Sequence, residues 1–462
     1  MLSQSVTSPS SRNPSTNLQR PTVYISIEQK NREYDEKILL ASDLALRGFR
    51  CYVGTHAAIW ALLKTKKERS GIYFDKGTQL PEVMDWIKTK CDYIVVMDVE
   101  LGPVVRNVDL MFSAFEKYPE ISRLYPGSNL TVDRYLCIGP RIFAGARKVF
   151  NVDSERAIMT GWPRVDVWGE LGLDLYSKEI ANIRKKCGSF LLFASDFNWI
   201  ADPGANGSLT SGLSDYGWDR GTNFNFFNRT VEILKKWDQD PNVPKIIVRP
   251  HISEDPRIWK KALGKMQKTQ VIHNGDITQW ILASEGLIHR GSTTSVQAAI
   301  GKRFTYFLAE ATKFDENEIS HQISDFLVSE NEPPMIHSWV SRGVGVDQKL
   351  NQILDRVIFR SSQGATHEVI SALTELKTSS ILFHERKILW ISQFSFKSFK
   401  RLLGLIRHEV TWKLKLTEIA PQLHYTPSGL GKYEIKRMMC LRNEYNQLRV
   451  RRMSINLWEF SL

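Results

Sequence analysis

The segment Leu287–Lys302, LIHRGSTTSVQAAIGK, decides how this chain reads. An apolar run, Gly286-Leu287-Ile288, enters His289-Arg290-Gly291, and four hydroxyl residues follow: Ser292, Thr293, Thr294 and Ser295. Val296–Ile300 reads as helix, and Gly301-Lys302 ends it. Strand, glycine turn and helix in that order are the unit of an α/β domain. Ser and Thr suit a helix start because their oxygens accept from the free N–H groups of the first turn. The same N–H groups, with the helix dipole, attract anions. Arg290 beside the hydroxyls suits a phosphate; an ordinary capped helix is the competing reading.

Outward from that segment the pattern repeats. Towards the N-terminus lie the apolar runs Phe190–Ser195, Lys245–Val248 and Val271–His273, and Phe304–Leu308 follows it, with helical stretches between. A long polar, Gly-rich segment, 196–223, interrupts them. Loops of that length inside compact domains usually carry function. An earlier set has the same alternation: Thr22–Glu28, Phe49–Gly54, Gly71–Phe74, Tyr93–Met97, Arg134–Ile138 and Ala157–Thr160. Strands alternating with helices of about ten residues predict parallel sheets covered on both faces. The chain therefore reads as α/β, with two Rossmann-like doubly wound domains facing a cleft. The expected boundaries are a leader over 1–20, a first domain over 21–185, a second over 186–335, and a mostly helical, basic extension over 336–462. A polar helix at Asp174–Cys187 suits a bridge between the two domains.

The 462 residues carry a net charge of +12, unevenly spread. Within 381–462 there are 15 Lys/Arg against 6 Asp/Glu, so +9 of the +12 lies in that last segment. A uniformly basic nucleic-acid binder would look different, and no nucleic-acid partner is expected. The basic end, with runs such as Phe394-Ser395-Phe396-Lys397, suits an anionic membrane surface or packing with a solvated basic face. Five scattered cysteines without CxxC spacing indicate neither a disulfide framework nor a zinc site. The first 20 residues, rich in Ser, Pro and Asn, lack the apolar core of a signal peptide. No run approaches about 18 apolar residues, so no transmembrane helix is expected. A cytoplasmic protein, peripheral to the inner face of the cell membrane, fits these features.

Polar groups at strand carboxyl ends are the candidates for chemistry, because the ligand crevice of a parallel sheet lies there. Asp98 and Glu100 follow the Tyr93–Met97 run and precede Gly102. They are candidates for a catalytic base. Arg249 and His251 follow Lys245–Val248 and flank Pro250, which stiffens the turn. With Arg290 and Gly291–Ser295 they form two strand ends able to converge on one phosphate. Asp238-Gln239-Asp240 matches a DxD pattern, but it sits between a helix and Pro241 and reads as a surface turn. No P-loop is present, no GxGxxG follows the first strand, and GxSxG is absent. No metal and no cofactor are expected.

The pieces VYISIEQKNREYDEKILLASDLALRG, SGIYFDKG, MTGWPRVD, IIVRPHISED and LIHRGSTTSVQAAIGK resemble the bacterial surface carbohydrate biosynthesis proteins. Those are similar to two-domain GT-B glycosyltransferases, including the CMP-sialic-acid, CMP-Kdo and CDP-glycerol transferases. The resemblance covers about residues 22–325, and Lys432–Phe460 is similar to the family's usual ending. It implies a metal-independent transferase. A nucleotide-activated sugar or polyol phosphate would be its donor substrate, and a glycan or lipid-linked molecule its acceptor. It also implies that Asp98 or Glu100 supplies the base. His251 and Ser292–Ser295 would hold the donor phosphate, with Arg249 and Arg290 beside them. The family's pattern differs at Val99, Leu101, Ile252 and Gln297. A nucleotide-sugar epimerase or hydrolase of the same fold, and a non-catalytic scaffold of polysaccharide assembly, are the alternatives.

Overall fold

The computed structural model describes residues 20–28, 30–77, 79–97, 99, 131–149, 155–197, 220–251, 254–312, 318–337, 344–378, 432–454 and 456–462. In the first domain the strands are β1 (Thr22–Ile27), β2 (Arg50–Thr55), β3 (Ile72–Asp75), β4 (Tyr93–Met97), β5 (Arg134–Cys137) and β6 (Ala157–Met159). They pair in parallel in the order β2-β1-β3-β4-β5-β6. All six residues of β1 are buried, as expected of a strand covered on both faces. The first helix, Lys30–Leu46, starts well before the apolar stretch that marks it in sequence. The polar stretch 29–35, which suggests a loop before a helix at 36–47, is helical from Lys30, with Glu33 and Glu36 buried.

The second domain holds β7 (Leu191–Ala194), β8 (Ile246–Arg249), β9 (Gln270–Val271), β10 (Gly286–His289), β11 (Phe304–Leu308) and β12 (Phe326–Val328). All are parallel, in the order β12-β11-β10-β7-β8-β9. In chain order this is the 3-2-1-4-5-6 arrangement of a dinucleotide-binding sheet, with its reversal between β7 and β10. Successive residues face opposite ways. Leu191, Phe193, Ile246, Val248 and Ile288 pack into one core with Trp237 and Trp259. Leu192, Ile247 and Leu287 join the core shared with the first domain.

Two helices, Glu170–Leu175 and Ser177–Cys187, occupy the expected bridge. Tyr176, between them, donates to Asp35 of the first helix at 2.8 Å. The Arg184 guanidinium donates to the carbonyls of Ala283 (3.2 Å) and Leu282 (3.4 Å) in the second domain.

The C-terminal extension is only partly helical, and its final strand, read from sequence over Leu448–Trp458, is a hairpin. Val344–Asp355, Ala365–Thr374 and Lys432–Met439 are helices, but β13 (Arg449–Ser454) and β14 (Leu457–Ser461) form an antiparallel hairpin. β14 pairs antiparallel with β2 and extends the first sheet. One ladder thus joins residues about 400 positions apart in sequence. The sequence suggests helix over 338–363, but the helix stops at Asp355, and the stretch 356–364 lies over two first-domain turns, with the Phe359 N–H donating to the Ile138 carbonyl at 2.9 Å. Gly161 (φ 75°) is required there, because a Cβ would lie 2.4 Å from the Phe359 carbonyl oxygen. Asp166 then caps the next helix, accepting from Ala365 (2.9 Å) and Thr366 (2.8 Å) N–H. The GWPRVD turn therefore receives the returning chain.

Arg437 fastens the last helix. It pairs with Asp35 at 2.6 Å and Glu179 at 2.9 Å and lies 4.7 Å from the Tyr176 ring. The expected helix Asp109–Lys117 and the mixed stretch Ile381–Leu416 lie outside the described residues. Among the described residues, no helix is long and apolar enough to cross a membrane. Cys51, Cys91, Cys137 and Cys187 are buried free thiols and Cys440 is an exposed one.

Breaking a mostly buried pair from one side strands the other charge and costs about 3 kcal/mol. Arg437→Met is expected to lose about that in urea unfolding, and adding Asp35→Asn to recover part of it. A Cβ on Gly54 would lie 2.7 Å from the Asn456 carbonyl oxygen. Gly54→Val is expected to loosen the hairpin, read as faster amide exchange in 449–461 than in β1.

Candidate active site

In the second domain the site is built from the ends of β7, β8 and β10. β7 runs into Ser195 and Asp196. The Ser195 hydroxyl donates to Glu254 at 2.5 Å, and Trp259 Nε1 donates to the same oxygen at 2.8 Å. Buried Glu254 thereby ties the turn after β8 to the turn after β7. Asp196 faces Arg290, which follows β10, at 3.1 Å across the strand-order reversal. The Arg290 guanidinium is buried and lies 4.2 Å from the Phe197 ring. An arginine held over an aromatic ring beside a carboxylate has little freedom to turn away.

The hydroxyl run makes its own turn. Gly291 has φ 120°, a conformation reserved for glycine, and its N–H donates to His289 Nδ1 at 3.2 Å. The Ser292 Oγ accepts from the Thr294 N–H at 3.1 Å and lies 2.6 Å from the Thr294 hydroxyl. Ser295 turns inward and donates to the Ser292 carbonyl at 2.7 Å. The helix that follows, Thr294–Ile300, has Thr293 at its N-cap without a side-chain capping bond. Gln297 is buried and donates to Thr278 Oγ1 at 2.7 Å, a packing role. Ser292, Thr293 and Thr294 therefore line the turn, and Ser295 supports it.

Arg249 has a different setting from the one its sequence position suggests. Its guanidinium donates to the carbonyls of Ile272 (3.1 Å) and Gly275 (3.0 Å) and packs on Trp280, 5.4 Å from the ring. Burial lowers it to about 10 against the pull of Asp276. It shapes the 272–276 loop. His251 is half-buried at the end of β8, its carbonyl accepting from the Glu254 N–H at 2.8 Å. The His273 ring bonds to the His251 backbone; burial, then the nearby Arg249 charge, lowers His273 to about 4. Asp98 and Glu100 lie outside the described residues.

Sequence reasoning missed Asp196, Ser195 and Glu254 as a set, although their places just after β7 and β8 could have suggested them. It read Asp238 as part of a surface turn. Asp238 is buried instead and accepts from the N–H groups of Gln267 (2.7 Å), Lys268 (2.9 Å) and Thr269 (2.8 Å). Sequence reasoning also missed a polar group in the first domain, where His56 at the end of β2 meets Asp75 at the end of β3 at 2.8 Å.

No family model and no curated protein matches the chain. Solved structures do. The wall teichoic acid polymerase TagF is 14% identical with a TM-score of 0.42, over 77% of this chain and 89% of that one. A Listeria monocytogenes chain described as UDP-N-acetylglucosamine 2-epimerase is 9% identical with a TM-score of 0.47, over 77% and 96%. The UDP-GlcNAc 2-epimerase of Neisseria meningitidis is 10% identical with a TM-score of 0.41, over 77% and 99%. The likeness is distant, and the fold assignment stands on the strand order of the two sheets.

His289 gives the site a pH signature. Its Nδ1 accepts from Gly291, so Nε2 carries the proton and donates to Ser324 Oγ at 3.1 Å. Burial, with a smaller push from His321, lowers it to about 3. The unfolded value is about 6.5, so this contribution is complete above that pH and is lost as pH falls towards 3. At pH 5 the loss is expected to be about 2 kcal/mol. Thermal unfolding of His289→Asn should be correspondingly less sensitive to pH between 6.5 and 4.

Proposed function

We propose that the chain is a GT-B glycosyltransferase-like enzyme of surface polysaccharide biosynthesis. It transfers a sugar or polyol phosphate from a nucleotide-activated donor to a hydroxyl of a glycan or lipid-linked acceptor. The observation that carries this reading is the strand-order reversal between β7 and β10, flanked by Asp196, Arg290 and the Gly291–Thr294 turn. In open parallel sheets such a crevice binds nucleotides. His251 and the N–H and hydroxyl groups of Gly291–Thr294 are assigned to the donor phosphate. Arg249 and Arg290 hold the loops around them. The first domain, whose β1–β3 end is a second reversal, takes the acceptor. The basic segment 381–462 is assigned to an anionic membrane face, with the protein on its cytoplasmic side.

Thermal unfolding with CMP, CDP, UDP and GDP tests this directly. A nucleotide at a hundredfold excess over its Kd stabilises the native state by about 2.7 kcal/mol. One of the four is expected to raise Tm in a concentration-dependent way. His251→Ala should keep its Tm without ligand while nucleotide release from the matching donor falls at least tenfold. Full transfer activity in that variant would sink the assignment.

A further inference from the structure

The first domain carries a polar group that the donor reading does not use. β2 and β3 flank β1 on either side, so their carboxyl ends face each other across the end of β1. His56 is the residue after Thr55, at the end of β2 and the start of helix His56–Lys64. Asp75 ends β3. His56 Nε2 lies 2.8 Å from Asp75 Oδ2. The same oxygen accepts from the Tyr73 hydroxyl at 2.9 Å, and Oδ1 accepts from the Lys76 N–H at 2.8 Å. Trp60 Nε1 donates to Tyr73 at 3.2 Å, and the Gln79 amide lies 3.4 Å from Asp75 and 3.3 Å from His56.

This bonding fixes the imidazole. A carboxylate only accepts, so Nε2 carries the proton and Nδ1 of the neutral ring keeps its lone pair. The Asp75 side chain is 1% exposed and His56 is 13% exposed, so the ring is the member of the pair that meets solvent. Burial alone would raise Asp75, but His56, Ser26 and Tyr73 bring it down to about 2. Burial disfavours a charge on His56, yet Asp75, Glu33 and Glu28 raise it above the ordinary histidine value. Lys76, the cation facing this corner, is paired with Glu28 at 2.6 Å and Glu33 at 3.5 Å. A tie that merely joined two strand ends would not need a partly exposed imidazole held in one tautomer by a buried carboxylate.

We propose that His56, oriented by Asp75, is the proton acceptor for the incoming hydroxyl at the β1–β3 reversal of the first domain. This rests on the transferase reading above. The acceptor O–H bond breaks and its proton passes to His56 Nδ1. The freed oxygen pair forms the bond to the donor's reacting centre, and the bond from that centre to the nucleotide phosphate breaks with its pair on the phosphate oxygen. Asp75 stays ionised and stabilises the imidazolium, a positioning role.

The test uses the full chain, the nucleotide donor selected by thermal shift, and glycerol as the probe hydroxyl. For His56→Gln, whose amide can still donate to Asp75, the nucleotide-induced rise in Tm should match that of the native chain, whatever the Tm without ligand. Nucleotide release should fall by about 10² to 10⁴ in kcat with donor KM unchanged, and the acid limb of the pH profile should vanish. Nitrogen-15 spectra of histidine-labelled protein should show His56 protonated on Nε2, and Asp75→Asn should scramble that tautomer. Release within threefold of the native rate in His56→Gln, or a proton on Nδ1, overturns the proposal while nucleotide binding keeps the transferase reading intact. Failure of the native chain to bind any nucleotide overturns both.

Discussion

A parallel sheet buried on both faces has nowhere for polar chemistry except the ends of its strands. The rest of this structure follows from that constraint. The strand interiors are apolar and buried, from Val23 and Ile25 to Leu287 and Ile288. The charged groups collect where strands stop: Asp75 at the end of β3, Arg249 and Glu254 around the end of β8, and Arg290 after β10. Each is buried, and each is met by donors, acceptors, opposite charges or aromatic faces, because an unpaired buried charge costs several kcal/mol.

The two domains are held by the same chemistry. Asp35 lies in the first helix, and burial, with a smaller push from Asp276, which caps helix Ile277–Ala283 of the second domain, raises its carboxyl above the usual range. Tyr176 and Arg437 both donate to Asp35 Oδ2, from the bridge and from the last helix. Asp43 is similarly met by Tyr445 at 2.6 Å and Arg442 at 3.0 Å. The C-terminal chain is thus part of the first domain's covering, and two of its arginines, Arg437 and Arg442, answer acids of the helix Lys30–Leu46. Lys30 returns the pattern by pairing with Glu434 at 2.8 Å. The positive charge of the tail is therefore partly structural.

Much of the architecture was legible. Alternating apolar runs and helical stretches reported two doubly wound domains, because burial on both faces demands continuous apolar strands. The hydroxyl turn at Ser292–Ser295 was legible because glycine, Ser and Thr mark a strand-to-helix turn by local backbone needs. The partners of Arg249 were hidden for the opposite reason. Its residue type announces anion binding, but its partners are carbonyls 23 and 26 positions away. Asp238 was misread likewise, since its three N–H donors come from 267–269.

The sequence by itself determined the strand positions, the covered parallel sheets and the hydroxyl-rich strand-to-helix turn, all products of periodicity and short-range backbone preference. Only the tertiary structure decided which polar residues meet. It brought Asp196 to Arg290 and His56 to Asp75, and it laid the C-terminal hairpin on β2. Strand order is the physical reason. Hydrogen-bonded ladders place residues from remote parts of the chain side by side, and no local pattern records which strands will be neighbours.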